Sequence, residues 1–266
     1  MRLDKYLVDF HYFSSREKAA FAIKKGQVFV NGLSVKKSSF DFDETKDELS
    51  IQTDEVLPYV SKGGLKLEKA IRDFKLDFEK ARVLDVGSST GGFTDCALQN
   101  GASHVTAVDV GTNQMEAALR SHPKVLLYEQ TDFRDLVNLP NFSFSFDYVL
   151  SDLSFISIHK LLPFLPNFMN DDTCFVGLIK PQFEVGKDAI GRDGVVKSPD
   201  LHVKVIEEII QESKRFNLFL HALSFAPLYD KKKNIEYLMM LTKQKTTKIV
   251  SVKTVVYEAV KLRSLL

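Results

Sequence analysis

Four charged residues of this 266-residue chain occupy positions that folding alone explains poorly. Asp152 ends one apolar run and Lys180 ends another, although buried strands disfavour charge unless something uses it. Glu236 lies near the start of the last apolar run, and Lys66 begins a helical stretch. Two amines and two carboxylates that meet at one sheet edge could bind a substrate and move a proton. The alternative is an ion-pair network that only caps the strands.

A glycine-rich segment follows the first apolar run of the larger part of the chain. It reads LDVGSSTGGFT from Leu84 to Thr94, and glycine there lets the backbone approach a ligand at the start of a helix. The pattern differs from the G-x-G-x-x-G of dinucleotide binding and lacks the Lys-Ser/Thr ending of a P-loop. We therefore predict a cofactor-binding loop that comprises Asp85, Gly87, Ser88, Ser89, Gly91, Gly92 and Phe93.

Two further aspartates follow the next two apolar runs. Asp109 is placed to accept both ribose hydroxyls of an adenosine, and Asp132 stands where methyltransferases bind the adenine amino group. Each aspartate alone is equally compatible with a helix N-cap or a loop position. Three acids and a glycine loop at the ends of successive strands together favour S-adenosylmethionine as the cofactor, and no metal site is expected.

The elements that must position these residues begin at residue 65, where short apolar runs alternate with helical stretches. This alternation predicts an α/β fold with a doubly wound, mostly parallel sheet. The last two runs, NLFLHALSF and NIEYLMMLT, are separated by too few residues for a parallel crossover, so the final strand should be antiparallel. A seven-stranded sheet of this kind resembles the Rossmann-like fold of S-adenosylmethionine-dependent methyltransferases.

The first 57 residues predict a small α+β domain. The spacing of Leu3 and Leu7, and Ser15 ahead of an amphipathic run, indicate two short helices. Asn31 and Gly32 supply the residues of a type I′ hairpin turn, and ELSIQT could add an edge strand.

Basic residues outnumber acidic ones in the first forty residues. Such a face could bind phosphate groups, although lysines on small helices are often only their solvated side. The strings RLDKYL and SREKAAFAIKKGQVFVNG resemble the S-four RNA-binding domain. The resemblance implies that the domain grips structured RNA by its shape and backbone. The candidate contacts are Arg2, Arg16, Lys18, Lys24, Lys25, Lys36 and Lys37. The acidic stretch from Asp41 to Glu55 would repel RNA and so orient the domain.

Composition bounds the remaining classes of protein. The net charge of +1 is uninformative about partners, and 44% hydrophobic residues support a substantial core. No stretch approaches the ~18 apolar residues of a membrane span, and charges interrupt any signal peptide, so we expect a soluble, cytoplasmic protein. Cys96 and Cys174 are too few for a disulfide framework or a multi-cysteine zinc site.

The chain is predicted to contain two domains, a linker and a tail. Their boundaries are placed at 1–57, 58–64, 65–245 and 246–266. Pro58, Gly63 and Gly64 indicate the linker. The basic tail could contact RNA, pack as a final helix or support a dimer.

Motifs along the chain resemble one family in particular. They are GLKL, DVGSSTGGFTD, SDLSFIS, IKPQFEVGKD with GRDGVV, and NIEYL. They follow the order of the TlyA branch of the FtsJ-like ribose 2′-O-methyltransferases, and with the N-terminal module they cover nearly the whole chain. The resemblance implies that Lys66, Asp152, Lys180 and Glu236 form a tetrad that assists methyl transfer from S-adenosylmethionine to cytidine ribose in ribosomal RNA. The implied partner is ribosomal RNA or a ribosomal subunit.

The residue types suit that chemistry. A ribose hydroxyl is a poor acid, so the reaction needs a group that orients it or removes its proton. Lysine can do so if its pKa falls, and burial and a like-charged neighbour both lower it. We expect Lys180 to be the general base or hydroxyl-orienting group, Asp152 to hold its amine, and Lys66 to tune it and steady the attacking oxygen. Glu236 would hold Lys66 or the ribose. The glycine-rich segment 184–196 is either a mobile lid or an ordinary loop.

Two other functions compete with catalysis. One is a ribosome-assembly factor that binds RNA without turnover. The other is a haemolysin, a label that some family members carry, which would need an amphipathic or membrane-spanning segment. Because the RNA-binding pattern begins at Met1-Arg2, the chain resembles the shorter family members, which act on the large subunit.

Overall fold

The computed structural model describes residues 1–10, 12–13, 15–52, 57–140, 142, 145–186, 189–191 and 193–266. The chain forms two compact units, Met1–Gly64 and Leu65–Leu266. Asp54 and Glu55 of the predicted acidic stretch lie outside the described residues, as do Lys187, Asp188 and Arg192 of the segment 184–196. None of the helices among the described residues is both long and apolar enough to cross a membrane.

The first unit contains two helices and a three-stranded sheet. Its elements are α1 (Leu3–Asp9), α2 (Arg16–Lys24), β1 (Val28–Val30), β2 (Leu33–Ser34) and β3 (Leu49–Ile51). The sheet order is β2-β1-β3, and both pairings are antiparallel.

The local sequence accounts for these elements. The Ser15 hydroxyl accepts a hydrogen bond from the backbone N–H of Lys18 and caps α2. Asn31 and Gly32 have φ values of 51° and 75°, which a two-residue type I′ turn requires. The two predicted helices, the hairpin and the edge strand are all confirmed.

The second unit contains a seven-stranded sheet flanked by helices. Its helices are α3 (Lys62–Phe74, which begins in the first unit), α4 (Gly92–Gln99), α5 (Ala117–Arg120), α6 (Pro181–Glu184), α7 (Pro199–Ser213) and α8 (Val252–Ser264). Its strands are β4 (Arg82–Val86), β5 (His104–Val108), β6 (Val125–Tyr128), β7 (Tyr148–Ser151), β8 (Cys174–Ile179), β9 (Phe219–Phe225) and β10 (Tyr237–Thr242).

The strand order is β6-β5-β4-β7-β8-β10-β9. The pairs β4–β5, β5–β6, β4–β7 and β7–β8 are parallel, whereas β10 is antiparallel to both β8 and β9. The predicted α/β class and the antiparallel final strand are confirmed. From β4 the chain continues to β5 and β6 on one side, and it then crosses to β7 on the other side of β4. Ligands of doubly wound folds bind at such a switch point.

Two predicted boundaries are corrected. Helix α3 begins at Lys62, inside the predicted linker, so that Gly63 and Gly64 lie in its first turn. Residues 252–264 are part of the larger unit, since Val252, Val256 and Ala259 of α8 are buried in its core. Of the three roles left open for the tail, packing as a final helix is the one observed.

Candidate active site

The four charged residues lie together at one edge of the large sheet. Lys66 Nζ is 2.9 Å from Asp152 Oδ2 and 2.8 Å from Glu236 Oε2. Lys180 Nζ is 2.6 Å from Asp152 Oδ1. Asp152 therefore binds both amines, one on each carboxylate oxygen, and the order of contacts is Glu236, Lys66, Asp152, Lys180.

The sheet topology explains this convergence. Asp152 and Lys180 directly follow the parallel strands β7 and β8, which end at the same edge. Glu236 precedes β10, which is antiparallel, so its start lies beside their ends; Tyr237 pairs with Ile179. Lys66 lies in the second turn of α3 rather than at its beginning.

Two carboxylates set the protonation state of Lys66. Burial alone would lower the pKa of Lys66, but the adjacent Asp152 and Glu236 carboxylates outweigh it and raise that pKa above its ordinary value. Burial disfavours the Asp152 carboxylate, but the two lysines hold its pKa below the usual range. Lys66 therefore stays protonated, and the role of Lys180 as general base or hydroxyl-orienting group stays a prediction.

Lys180 has a second contact beyond the ion pair. Its Nζ lies 2.8 Å from the Ser154 hydroxyl, and its side chain is only 6% exposed. A small cavity lined by Leu153, Ile156 and Glu184, among others, adjoins it. Of the three positions around an ammonium nitrogen, two are used by the described residues, which leaves one for a ligand atom.

Phe155, the residue after Ser154, is unusual in its conformation and exposure. Its side chain is 91% exposed, and its φ of 64° lies in the left-handed region that non-glycine residues rarely adopt. Its ring contacts that of Phe183, with centroids 5.2 Å apart. Strain and exposure of a large apolar ring next to a charged cluster indicate a functional constraint. Phe155 was not predicted as a site residue, although the motif SDLSFIS contains it.

The predicted glycine loop joins β4 to α4 close to this cluster. Gly87 and Gly91 have φ values of 79° and 89°. A Cβ at Gly87 would lie 2.5 Å from the side chain of Leu153, the residue after Asp152. A Cβ at Gly91 would lie 2.5 Å from Leu119 Cδ1. The loop therefore needs glycine at both positions, for conformation and for space.

The other residues of this loop fall into different environments. The Ser88 hydroxyl is buried and has no hydrogen-bond partner among the described residues. Ser89 is exposed, with a φ of 47°, and donates a hydrogen bond to Gln114. Gly92 and Phe93 form the first turn of α4, and the Phe93 side chain is buried. An unpaired buried hydroxyl is costly, so Ser88 is a candidate for ligand contact.

Asp85 was predicted to bind the cofactor directly, and its position argues for another role. It is 1% exposed, and its carboxylate accepts a 2.6 Å hydrogen bond from the Thr94 hydroxyl. Burial raises its pKa to about 7. Because Asp85 lies in β4 and Thr94 in α4, the bond ties the two ends of the glycine loop together. Asp85 therefore positions the loop, and its predicted contact with the cofactor stays a prediction.

Asp109 follows β5 and shapes the neighbouring backbone. Its Oδ2 accepts from the Ser89 N–H at 2.8 Å, and its Oδ1 accepts from the Gly111 N–H at 2.7 Å. Each carboxylate oxygen has a second lone pair. The side chain thus lies against the glycine loop and retains capacity for two further donors.

Asp132 follows β6 and caps the 3₁₀ turn Phe133–Asn138. Its Oδ1 accepts from the backbone N–H of Arg134 at 3.0 Å, and both oxygens contact the Arg134 guanidinium. That guanidinium holds the pKa of Asp132 below the usual range. The N-cap alternative is observed, and a contact to adenine would share this carboxylate with Arg134.

Glu184 and Asn234, which were not predicted as site residues, anchor the segment 184–196. Glu184 accepts hydrogen bonds from the Ser157 hydroxyl and the Ile158 N–H at 2.6 and 2.8 Å. The Asn234 side chain accepts from the Val196 N–H at 2.9 Å and donates to the Gly194 carbonyl at 2.8 Å. Glu184 therefore fixes the start of the segment, and Asn234, two positions before Glu236, fixes its end.

The basic residues that were predicted to contact RNA lie in the first unit. Arg2 makes two hydrogen bonds to Asp4, and Arg16 makes a third, at 2.9 to 3.0 Å. Asp4 is buried, and Arg2 contributes most to holding its pKa below the usual range. Both arginine side chains remain more than half exposed, so their outer N–H groups face solvent. Lys24, Lys25, Lys36 and Lys37 are exposed, and Lys18 is partly exposed.

The sheet order, the antiparallel β10 and the glycine loop after β4 are those of the Rossmann-like fold that S-adenosylmethionine-dependent methyltransferases share. Residues 59–243 match the family model described as FtsJ-like methyltransferase, and residues 1–49 match that of the S4 domain. The chain belongs to the FtsJ-like methyltransferase family and carries an N-terminal S4 domain.

Relatives match over nearly the full chain. The 16S/23S rRNA (cytidine-2′-O)-methyltransferase TlyA of Mycobacterium tuberculosis (strain CDC 1551) is 36% identical, over 91% of this chain and 90% of that protein. The 23S rRNA (cytidine-2′-O)-methyltransferase TlyA of Campylobacter jejuni is 32% identical, over 89% and 97%. A Streptococcus thermophilus structure described as a hemolysin is 38% identical with a TM-score of 0.76, covering 98% of this chain and 96% of that one.

Proposed function

We propose that the protein transfers the methyl group of S-adenosylmethionine to the 2′-hydroxyl of a cytidine in ribosomal RNA. The observation that carries this proposal is the contact between the glycine loop and the residue that follows Asp152 of the tetrad. Leu153, which follows Asp152, packs directly on Gly87. The cofactor loop and the two lysines therefore share one edge of the sheet.

The residues around the glycine loop fit S-adenosylmethionine. The buried Ser88 hydroxyl lacks a partner among the described residues, and Asp109 retains lone pairs for the ribose hydroxyls. Asp132 would accept from the adenine amino group. Gly87 and Gly91 keep the loop free of side chains that would fill the site. When bound, this cofactor supplies an electrophilic methyl group on a sulfonium.

The tetrad would act on the ribose hydroxyl. Lys180 would orient the hydroxyl at the one position around its Nζ that stays open. It would act as general base in the neutral amine form, whose lone pair at that position accepts the hydroxyl proton. Asp152 fixes the Lys180 amine, and Glu236 fixes Lys66. Lys66, protonated between two carboxylates, would stabilise negative charge that develops on the oxygen.

Phe155 would hold the target base. Sequence-specific RNA recognition commonly stacks an unpaired base on an aromatic ring. The exposed Phe155 ring lies one residue from Ser154, which contacts Lys180. The motif thus places a stacking surface next to the group that would meet the ribose of the same nucleotide.

The relatives' names support the choice of substrate. Both TlyA proteins are named for cytidine 2′-O-methylation, and 23S RNA appears in both names. We therefore propose large-subunit RNA as the primary substrate, with the small subunit as a second one to be tested. The S4 domain would bind structured RNA through Arg2, Arg16 and the nearby lysines. An enzyme of ribosomal RNA would act in the cytoplasm.

The test is methyl transfer in a purified system. The full-length protein and labelled S-adenosylmethionine are incubated with ribosomal subunits from cells that lack this gene, and the nucleosides are analysed by mass spectrometry. We expect 2′-O-methylcytidine in the large-subunit RNA. A methyl group on a base, or no transfer to either subunit, would contradict the proposal.

A further inference from the structure

Three consecutive lysines, Lys231, Lys232 and Lys233, lie in the connection between β9 and β10. Strand β9 ends and β10 begins at the edge of the sheet that carries the tetrad, since Tyr237 pairs with both Phe225 and Ile179. Glu236 is only three residues beyond the last of these lysines. The connection therefore forms part of the rim of the candidate active site.

The three lysines are exposed, and none of them forms an ion pair with any residue that the structure describes. Some lysines elsewhere in this unit differ. Lys69, Lys197 and Lys204 are each paired with a carboxylate four residues away on their own segment. At 231–233, by contrast, three consecutive positive charges have no carboxylate of the described residues within ion-pair distance.

The local backbone orients this segment. The Asp230 side chain accepts from the Lys232 N–H at 2.9 Å, and its carbonyl accepts from the Lys233 N–H at 3.1 Å. The adjacent carboxylate is thus engaged with the backbone of the turn. The guanidinium of Arg263, from α8, lies 3.4 Å from the Lys233 carbonyl and adds a fourth positive charge.

We propose that Lys231, Lys232, Lys233 and Arg263 form a phosphate-binding rim that holds the RNA backbone beside the target nucleotide. The inference rests on the proposed function, because it assigns the rim to the same RNA substrate. Uncompensated lysines displace counterions from phosphates and bind without regard to base sequence. The rim acts in addition to the S4 domain and contributes to affinity rather than to the chemical step.

The test uses a charge-neutralised triple variant with a matched control. The variant carries Lys231→Gln, Lys232→Gln and Lys233→Gln, and none of these residues belongs to the tetrad. The control carries Lys204→Gln, Lys214→Gln and Lys248→Gln, which removes the same charge. Those three line a cavity of about 880 Å³ beside the start of β9, at the other edge of the sheet.

Two quantities are measured on the full-length proteins. The first is the affinity for an in vitro transcript of Bacillus subtilis 23S ribosomal RNA across a series of salt concentrations, without cofactor. We expect Kd at 0.1 M salt to rise at least fivefold in the triple variant, and the slope of log K against log salt to fall by about 2 to 3. The control should match the wild type in both. The second quantity is S-adenosylmethionine affinity by calorimetry, which should be equal in all three proteins.

Several outcomes would overturn the proposal of a phosphate-binding rim. One is unchanged RNA affinity and salt dependence in the triple variant; another is an equal loss in the control. Loss of activity on assembled subunits with unchanged binding of the naked transcript would also overturn it, and would indicate an acidic protein partner. Failure of the methyltransferase proposal is a different result, because it would appear as absent methyl transfer in the wild type while RNA binding remains measurable.

Discussion

A comparison of Lys66 with Lys69 can distinguish a catalytic tetrad from a purely structural ion-pair network. Both lie on α3, their side chains are 18% and 15% exposed, and both contact carboxylates. Only Lys66 belongs to the tetrad. We therefore compare Lys66→Met with Lys69→Met, because methionine keeps an apolar stem and removes the charge.

The contacts set the expected cost in stability. Loss of Lys66 leaves Glu236 without its ammonium partner and Asp152 with Lys180 alone. Breaking a buried ion pair lowers the free energy of unfolding by about 3 to 5 kcal/mol. Because the Lys66 side chain keeps some exposure to solvent, we expect a loss of about 3 kcal/mol. Loss of Lys69 leaves Asp73 with the Ser224 hydroxyl and Arg72, so about 1 kcal/mol is expected. For a domain of this size, the melting temperature should fall by roughly 6 to 12 °C in the first variant and by 2 to 4 °C in the second.

Turnover provides the decisive comparison. With both variants fully folded at the assay temperature, Lys66→Met should reduce kcat by about 10² to 10⁴, because charge stabilisation and hydroxyl orientation are lost. Lys69→Met should stay within threefold of the wild type. The measurement is kcat at saturating cofactor and RNA, alongside thermal unfolding. Equal losses in the two variants, or retained turnover in Lys66→Met, would refute the catalytic interpretation.

Three other predictions concern the loop and its supports. Gly91→Ala should weaken S-adenosylmethionine binding at least tenfold in calorimetry, because its φ is 89° and the new Cβ would meet Leu119. The control Gly186→Ala, which has open space around the new Cβ, should bind the cofactor normally. Similar affinities of the two variants would contradict this prediction. Asp85 has its pKa raised from 3.8 to about 7, so it disfavours folding increasingly as the pH rises between these values. Asp85→Asn should therefore unfold at a higher temperature than the wild type at pH 8, with a smaller difference at pH 5, and a pH-independent difference would be inconsistent with a buried carboxylate. Asn234→Ala removes both hydrogen bonds to the segment that ends at Val196. We therefore expect kcat to fall at least tenfold while the affinity for S-adenosylmethionine stays unchanged. Full turnover would show that this anchor is dispensable.

The positions of the strands and of the tetrad could be predicted because both depend on local pattern and topology. Asp152 and Lys180 are conspicuous as charges at the ends of apolar runs, and a short connection requires β10 to be antiparallel. Parallel strands end at one edge, so the meeting of these residues follows from the fold. The extent of α3 was harder to predict because Gly63 and Gly64, which usually interrupt helices, lie in its first turn.

Side-chain environments could not be predicted from the sequence. The raised pKa of Lys66 depends on contacts with Asp152 and Glu236, which are 86 and 170 residues away, and on how far each is buried. Asp85 lies next to the glycine loop in sequence, yet its side chain is buried beneath the loop. Asn234 and Phe155 carry no signal by residue type alone, because their importance comes from two backbone bonds and from an exposed, left-handed conformation.

Lys180 provides the most direct test of the central claim. Methyl transfer to large ribosomal subunits and S-adenosylmethionine affinity are measured for the wild type and for Lys180→Ala. We predict that the variant binds the cofactor within threefold of the wild type and produces no detectable 2′-O-methylcytidine. A variant that still forms 2′-O-methylcytidine at the wild-type rate would contradict the account.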